Sequence, residues 1–256
     1  MGTCSAIENN IGGSAKIAGK GFTQVAGNLG MLANPASFDH SKKATLSLSR
    51  SELYDIGIIY NYFEGAIRLL PNWEIGIIYE AVQDQDQIDY SGYDQQLFVF
   101  GLSYRANERL KLGVNLNHNQ FRLFEENIGK GYSCDFGVLS GPFRFNKSRI
   151  NFGLKVENLM ANREYKTDRI EKAEPVLTLG SSLELGNVSC AVDLKQDELS
   201  LGIEYQVTSS LTLRGGLANG QPTLGIGVLR GPLQIDYAYW LSKVGATHRI
   251  GSSISF

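Results

Sequence analysis

The sequence predicts an all-β protein, a transmembrane antiparallel β-barrel of about 14 strands with a short N-terminal plug segment in its lumen. Three observations lead to this prediction. Apolar and polar residues alternate along most of the chain from about residue 43. The connections between the alternating segments are long and short in turn through the middle of the chain. No apolar run approaches the roughly 18 residues that a membrane-spanning helix needs.

The composition fits pleated sheet and excludes several functions. The chain has 29 Gly but only 6 Pro, and 12 Tyr and 12 Phe supply aromatic side chains that favour strands. The formal net charge of -2 offers no basic surface for nucleic acid. The cysteines, Cys4, Cys134 and Cys190, are odd in number and lack metal-ligand spacing. We therefore expect no disulfide framework, no metal site and no cofactor.

The first residues do not share the strand pattern. We predict an N-terminal plug segment at 1–41 and the barrel at 42–256. The stretch NLGMLANPASF at 28–38 contains Asn34, Pro35 and Ala36, and Pro35 disfavours a helical conformation at the residue before it. No basic start with an apolar core precedes residue 5, so no signal peptide is expected there, and the route of export stays open.

The strands follow from alternation with a period of two residues. In the predicted third strand, Trp73, Ile75, Ile77 and Tyr79 alternate with Glu74, Gly76, Ile78 and Glu80. The same pattern returns at 110–117, 150–157, 199–205 and 233–239. We predict strands centred near residues 46, 58, 77, 100, 114, 137, 153, 179, 190, 202, 213, 226, 236 and 251.

Alternation alone does not decide whether the apolar face covers a core or meets lipid. Two features favour a membrane barrel. Aromatic residues lie near strand ends, where a membrane interface favours them. Glycines recur on the polar face, which predicts a close neighbour such as a plug: Gly76, Gly101, Gly113, Gly137, Gly153, Gly202 and Gly251.

The predicted connections indicate the orientation. We expect long loops at 83–94, 124–132 and 161–175, and short turns at 70–72, 105–109, 145–148 and 186–187. Outer-membrane barrels have long outer loops and short periplasmic turns. The alternation of long and short connections therefore predicts that both termini are periplasmic.

Charged residues on the polar face are predicted to pair across strands. A tight turn at Ser242-Lys243 would place Asp236 opposite Arg249, and a turn at 207–210 would place Glu204 opposite Arg214. The histidines, His40, His118 and His248, are scattered and are taken as structural or surface residues. No nucleophile or acid–base pair accompanies the charges, so an enzyme is not expected.

Both ends of the chain resemble the PorV/PorQ family within the wider FadL-like outer-membrane barrels. The N-terminal match falls on Gly19, Gly21, Phe22, Asn34, Pro35 and Ala36, in a segment that forms a small plug in that family. The closing strands are similar down to Asp236-Tyr237 and His248-Arg249. The terminal Phe256 looks like the signal that the barrel-assembly machinery recognises. The resemblance implies about 14 strands and an outer-membrane location, in contact with outer-membrane lipid.

Three functional hypotheses stay open at this stage. The first is a PorV-like, non-enzymatic accessory that binds partner proteins in secretion or surface attachment. The alternative is a FadL-like channel for passive uptake of small hydrophobic molecules, which predicts apolar lumen positions, and Ile78, Leu97 and Val99 supply some. The third is a soluble β-protein with a lectin-like or structural role.

Overall fold

The computed structural model describes residues 12–39, 41–84, 92–124, 126–167 and 169–256. Cys4, His40 and part of the predicted plug and of the 83–94 loop lie outside these residues. One short helix precedes fifteen strands. Their bounds are α1 Ala15–Gly19, β1 Ala44–Leu53, β2 Ile58–Leu70, β3 Trp73–Asp84, β4 Tyr93–Arg105, β5 Leu110–Leu123, β6 Glu126–Phe145, β7 Ser148–Tyr165, β8 Ile170–Lys172, β9 Val176–Leu185, β10 Val188–Lys195, β11 Glu198–Gln206, β12 Leu211–Ala218, β13 Gln221–Arg230, β14 Leu233–Leu241 and β15 Ala246–Ser255.

The strands form one closed antiparallel barrel. Each strand pairs with its neighbours in sequence, except that β7 pairs with β9 and the three-residue β8 lies on the edge of β7. Pairing of β1 with β15 closes the sheet, with Thr45 opposite Ser255. Fourteen strands, β1–β7 and β9–β15, therefore make up the barrel, which confirms the predicted all-β barrel of about 14 strands. Where β1 meets β15, the Phe256 amide donates to the Ala44 carbonyl at 2.9 Å. The first and last residues of the barrel therefore lie at the same end of the barrel.

The polarity of the barrel is inverted relative to that of a soluble protein. Large apolar side chains point outward and are exposed, including Ile77 at 56%, Leu116 at 57% and Leu224 at 63%. Polar side chains face inward and are buried, with Glu74 and Asn115 both at 0% exposure. Apolar residues outside and polar residues inside are the arrangement of a transmembrane barrel. A sandwich around an apolar interior is therefore excluded.

Aromatic side chains form a row on the outer surface of neighbouring strands. The rings of Tyr79 and Phe98 are 4.9 Å apart, and those of His118 and Tyr132 are 4.7 Å apart. His118 therefore belongs to an outward row that has the character of an interfacial girdle. His248 also faces outward, with its Nδ1 2.7 Å from the Tyr237 hydroxyl.

Two of the predicted long loops are largely strand. Residues 126–132 of the predicted 124–132 loop belong to β6, and residues 161–165 belong to β7. Both strands keep backbone partners along this stretch, with Lys130 opposite Glu164, so the hairpin continues beyond the aromatic row. The prediction of loops there was wrong, because polar residues in a paired hairpin retain strand geometry.

The barrel is consequently of unequal height. Strands β2–β7 have 12 to 20 residues and are called the tall wall. Strands β9–β15, with β1, have 8 to 10 residues and are called the low wall. No helix within the described residues has the length and apolar character needed to cross a membrane.

Candidate functional site

The candidate site is the barrel lumen, which contains residues 12–39, here called the N-terminal segment. In this stretch only Asn28 is exposed, and Ile17, Met31, Ala33 and Asn34 are all at 0% exposure. The helix α1 packs against β12–β15. The segment then crosses the lumen and returns to the start of β1 at the end of the barrel where Phe256 lies.

Inward-facing glycines allow this close fit. Each of the seven glycines predicted on the polar face contacts the N-terminal segment. A Cβ at Gly76 or Gly101 would meet the Met31 sulfur, and a Cβ at Gly113 would overlap the Pro35 carbonyl group. Gly137, Gly153, Gly202 and Gly251 meet Asn34, Val25, Thr23 and Ala15 respectively. The inward glycines therefore lie along the path of the N-terminal segment, because a larger side chain at these positions would displace the segment.

The Asn-Pro-Ala motif joins the segment to two strands of the tall wall. The Asn34 Nδ2 lies 2.8 Å from the Val25 carbonyl, 3.2 Å from that of Val138 and 3.3 Å from that of Leu154. Its Oδ1 accepts the Ala36 amide at 3.0 Å, which closes a local turn around Pro35. Asn34 thus connects the segment to itself and to β6 and β7. Whether the segment obstructs passage stays a prediction.

Further polar side chains bind the backbone of the segment. Asp193 accepts the amides of Gln24 at 2.7 Å and Val25 at 3.0 Å. Arg249 donates to the Gly13 carbonyl at 2.6 Å and to the Ser51 hydroxyl at 2.5 Å. Other contacts of this kind are Glu64 with the Met31 amide, Asn115 with the Met31 carbonyl, Lys155 with the Leu32 carbonyl and Lys111 with the Phe38 carbonyl.

Most of these binding residues were not identified from the sequence, although a signal exists. Several stand two positions from a contact glycine on the same strand face, as Asn115 does from Gly113 and Lys155 from Gly153. A glycine makes room for the segment, and the polar neighbour then satisfies its backbone groups, which would otherwise be buried without partners.

One predicted charge pair has the expected register and the other does not. Glu204 lies opposite Arg214, and Arg214 Nε is 2.6 Å from the Glu204 carboxylate. Asp236 lies opposite Gly251 instead of Arg249, and its carboxylate accepts Arg214 Nη1 at 2.6 Å. The prediction for Asp236 was wrong because the turn has four residues, Ser242–Gly245, which shifts the register by two. The Ser242 hydroxyl donates to the Gly245 carbonyl at 2.8 Å and stabilises this longer turn.

Two groups of charged side chains in the lumen contain ion pairs. In the first, Arg214 is held between Glu204 and Asp236. In the second, Glu157 lies 3.0 Å from Lys155 and 2.9 Å from Lys195. Within the segment, burial lowers the pKa of the Lys20 ammonium, and the nearby Glu204 carboxylate opposes this shift. Pairing of this kind neutralises charges that are shielded from water.

A cavity of about 180 Å³ lies between the segment and the tall wall. It is on the side of the segment away from Phe256. Its lining mixes apolar residues, Leu32 of the segment and Val82 and Leu97 of the wall, with polar and charged residues such as Asn117 and Glu80. Ile78 and Val99 lie deeper, in a buried cluster with Met31. Among the described residues, no three His, Cys, Asp or Glu side chains are grouped as a metal site.

Comparison with known proteins identifies the fold. No family model and no curated protein matches the sequence. Among solved structures, the CymD monoaromatic hydrocarbon channel has a TM-score of 0.64 at 16% identity, covering 96% of this chain and 97% of that chain. The Pseudomonas putida toluene transporter TodX has a TM-score of 0.60 at 13% identity, covering 96% and 97%. A Pseudomonas aeruginosa FadL homologue has a TM-score of 0.57 at 10% identity, covering 95% and 97%.

These likenesses extend over almost the whole of both chains but are low in sequence identity. The narrower resemblance to PorV/PorQ stays a prediction. The chain has the barrel fold of the FadL homologue and of these hydrocarbon channels.

Proposed function

We propose that this protein is an outer-membrane channel for passive uptake of small, largely apolar molecules, with the N-terminal segment as a plug in its lumen. The observation that carries the proposal is the cavity between the segment and the tall wall. Its apolar lining residues, Leu32, Val82 and Leu97, give an apolar molecule contacts inside an otherwise polar lumen. The exposed apolar outer surface supports location in a membrane.

The structural neighbours support the same function. CymD is a monoaromatic hydrocarbon channel and TodX a toluene transporter, and both share the barrel fold over nearly their whole length. Some of the buried lumen charges form ion pairs, Glu157 with Lys155 and Lys195 and Arg214 with Asp236, which lowers the charge that a passing molecule meets there. The proposed activity is passage through the barrel, which needs no catalytic residue.

Uptake by whole cells tests the proposal. Porin-deficient cells that make the protein should take up radiolabelled small aromatic molecules faster than cells carrying an empty vector. Val82→Trp fills the cavity and should reduce this uptake severalfold. The matched control is Val192→Trp on β10, where the native side chain is 37% exposed on the outer face. Equal uptake by cells with and without the protein would refute the channel.

A second candidate is a non-enzymatic accessory that binds secretion or surface proteins. The extensive bonding of the N-terminal segment favours it, because a permanently filled lumen would not need to open. Purification in mild detergent from the native host separates the two functions. A stoichiometric protein partner without any bound small apolar molecule would favour the accessory, and the reverse result would favour the channel.

A further inference from the structure

A groove of about 550 Å³ lies on the outer surface of the barrel, where β1 pairs with β15. Ser252 on β15 is opposite Leu48 on one side and Ile235 on the other, and both of these apolar side chains are about half exposed. The short Ser252 side chain therefore leaves a gap between two larger apolar ones. Ile250, 59% exposed, adds a further apolar side chain to the groove.

The groove faces away from the lumen. Ser49 and Gly251 lie on the inner face, because a Cβ at Gly251 would be 3.2 Å from Ala15 of the N-terminal segment and 3.2 Å from the Ser49 hydroxyl. Their strand neighbours Leu48 and Ser252 therefore point outward, since successive side chains alternate between the two faces. On a transmembrane barrel this outer surface contacts the acyl chains of lipids.

A cation also lines the groove. Arg50 follows Leu48 on the outward face of β1, and its Nη1 donates to the neutral Asn61 side chain at 3.3 Å. Within the described part of the chain, Arg50 has no ion pair. Arg50 is opposite Ile250, which is opposite Tyr237. A tyrosine in this row is typical of the level where lipid head groups meet the apolar region of a membrane.

The charged residues next to Arg50 restrict the kind of head group. Glu52 is the next outward residue on β1, about 7 Å further along the strand. Beyond it, the His248 Nε2 lies 3.9 Å from the Asp55 carboxylate. None of these three lines the groove. A phosphate close to the acyl chains can thus approach Arg50 from the groove, whereas a second anionic group further out would meet Glu52.

We propose that this groove binds one membrane lipid, with an acyl chain between Leu48 and Ile235 and the lipid phosphate on the Arg50 guanidinium. A guanidinium has five donors in a planar fork that matches two phosphate oxygens, and the bond to Asn61 leaves most of them available. The inference goes beyond the channel function, because it depends on the outer surface and not on what passes through the lumen.

Native mass spectrometry of the detergent-purified protein tests the inference. The probes are phosphatidylglycerol and a diacylglycerol with the same chains, which lacks the phosphate. We expect the first phosphatidylglycerol to bind about 3- to 10-fold more tightly than the first diacylglycerol, as a charge-assisted hydrogen bond at a partly hydrated site supplies. Arg50→Gln should remove this difference. Ser252→Leu fills the gap and should weaken the binding of both lipids. Folding of each variant is checked by the heat-modifiable band on a gel.

Two matched controls change the same residue types elsewhere on the outer surface. Arg230→Gln alters an exposed arginine of β13, and Ser181→Leu alters a serine between the exposed Leu179 and Leu183 of β9. Neither residue lines the groove, so both variants should bind lipid as the unaltered protein does.

Equal affinity of the unaltered protein for the two lipids would overturn the inference, whether or not the variants fold. So would a phosphatidylglycerol affinity that Arg230→Gln lowers as much as Arg50→Gln does. A dimer that Ser252→Leu dissociates would assign the groove to a second copy of the chain, and this result would also overturn the lipid site.

Discussion

The tall and low walls share a ring of glycines but differ in what lies beyond it. On the low wall, Gly216 and Gly225 meet Gly21 and Gly19 backbone to backbone, and the strands continue only a short way. On the tall wall, Gly113 meets Pro35, and β5 then continues to Asn117 and Asn119 at the cavity. The same strand therefore has a level that holds the segment and a second level that leaves room for a ligand.

The residues that anchor the segment and the residues that line the cavity therefore lie at different levels of this barrel. Substitutions at the anchoring level should change stability or closure, while substitutions at the cavity level should change selectivity. The low wall hardly reaches the level of the cavity. Of its described residues, Lys195 on β10 lines that cavity. The following changes test this division at the anchoring level, beginning with the largest expected effect.

Replacing Arg214 by Gln should cause the largest loss. The Arg214 side chain is 2% exposed, and its removal leaves the buried Asp236 carboxylate without its ion-pair partner and Glu204 with only the longer-range attraction of Lys16 and Lys20. We expect the free energy of unfolding to fall by about 3–5 kcal/mol, measured by urea titration in lipid vesicles. Arg149→Gln is the matched control, because the Arg149–Glu184 pair is about half exposed and should contribute less than about 1 kcal/mol. Equal losses would contradict a buried anchoring network.

Replacing Gly216 by Val should have the next largest effect. A Cβ at Gly216 would lie 2.5 Å from the Gly21 amide nitrogen, so the segment or the strand must move. We expect a loss of about 2 kcal/mol from overpacking, measured by the same titration. The neighbouring Gly215 faces outward, and its nearest atom would be 3.8 Å away. Gly215→Val should therefore be almost neutral, and a similar loss at both sites would show that strand propensity, not the segment, decides.

Replacing Asn34-Pro35-Ala36 by Gly-Ser-Gly should have the smallest effect on stability, about 1 kcal/mol, since the hydrogen bonds between barrel strands stay intact and only those of Asn34 are lost. It should instead loosen the segment and raise single-channel conductance in planar bilayers. Thr208-Ser209-Ser210→Gly-Ser-Gly, in the exposed turn after β11, makes the same exchange away from the lumen and should leave conductance unchanged. Unchanged conductance in the Asn34 variant would argue against a plug.

Much of the fold could be predicted from the sequence, because strand alternation is a local property. The outward face of β3 follows from Trp73, Ile75 and Ile77, whose side chains point the same way whatever the strand pairs with. The inward glycines also predicted a close neighbour on the polar face, which is the N-terminal segment. The site was less predictable: Asp193 and Arg249 hold the segment through contacts with residues about 170 and more than 230 positions away.

The register between paired strands could not be predicted from local sequence patterns. Whether Asp236 meets Arg249 or Gly251 depends on two residues more or less in the turn at 242–245, and alternation is identical in both cases. The extended hairpin of β6 and β7 was likewise hidden, because polar residues at 126–132 have the composition of a loop until the paired strand is known.

The sequence by itself determined the all-β class, the approximate strand number and the two faces of each strand, since each rests on a period of two residues along the chain. The tertiary structure alone decided which charges meet, how tall each wall is and what space is left beside the N-terminal segment. These depend on pairings across a closed barrel, where one strand fixes the partners of the next around the whole circumference.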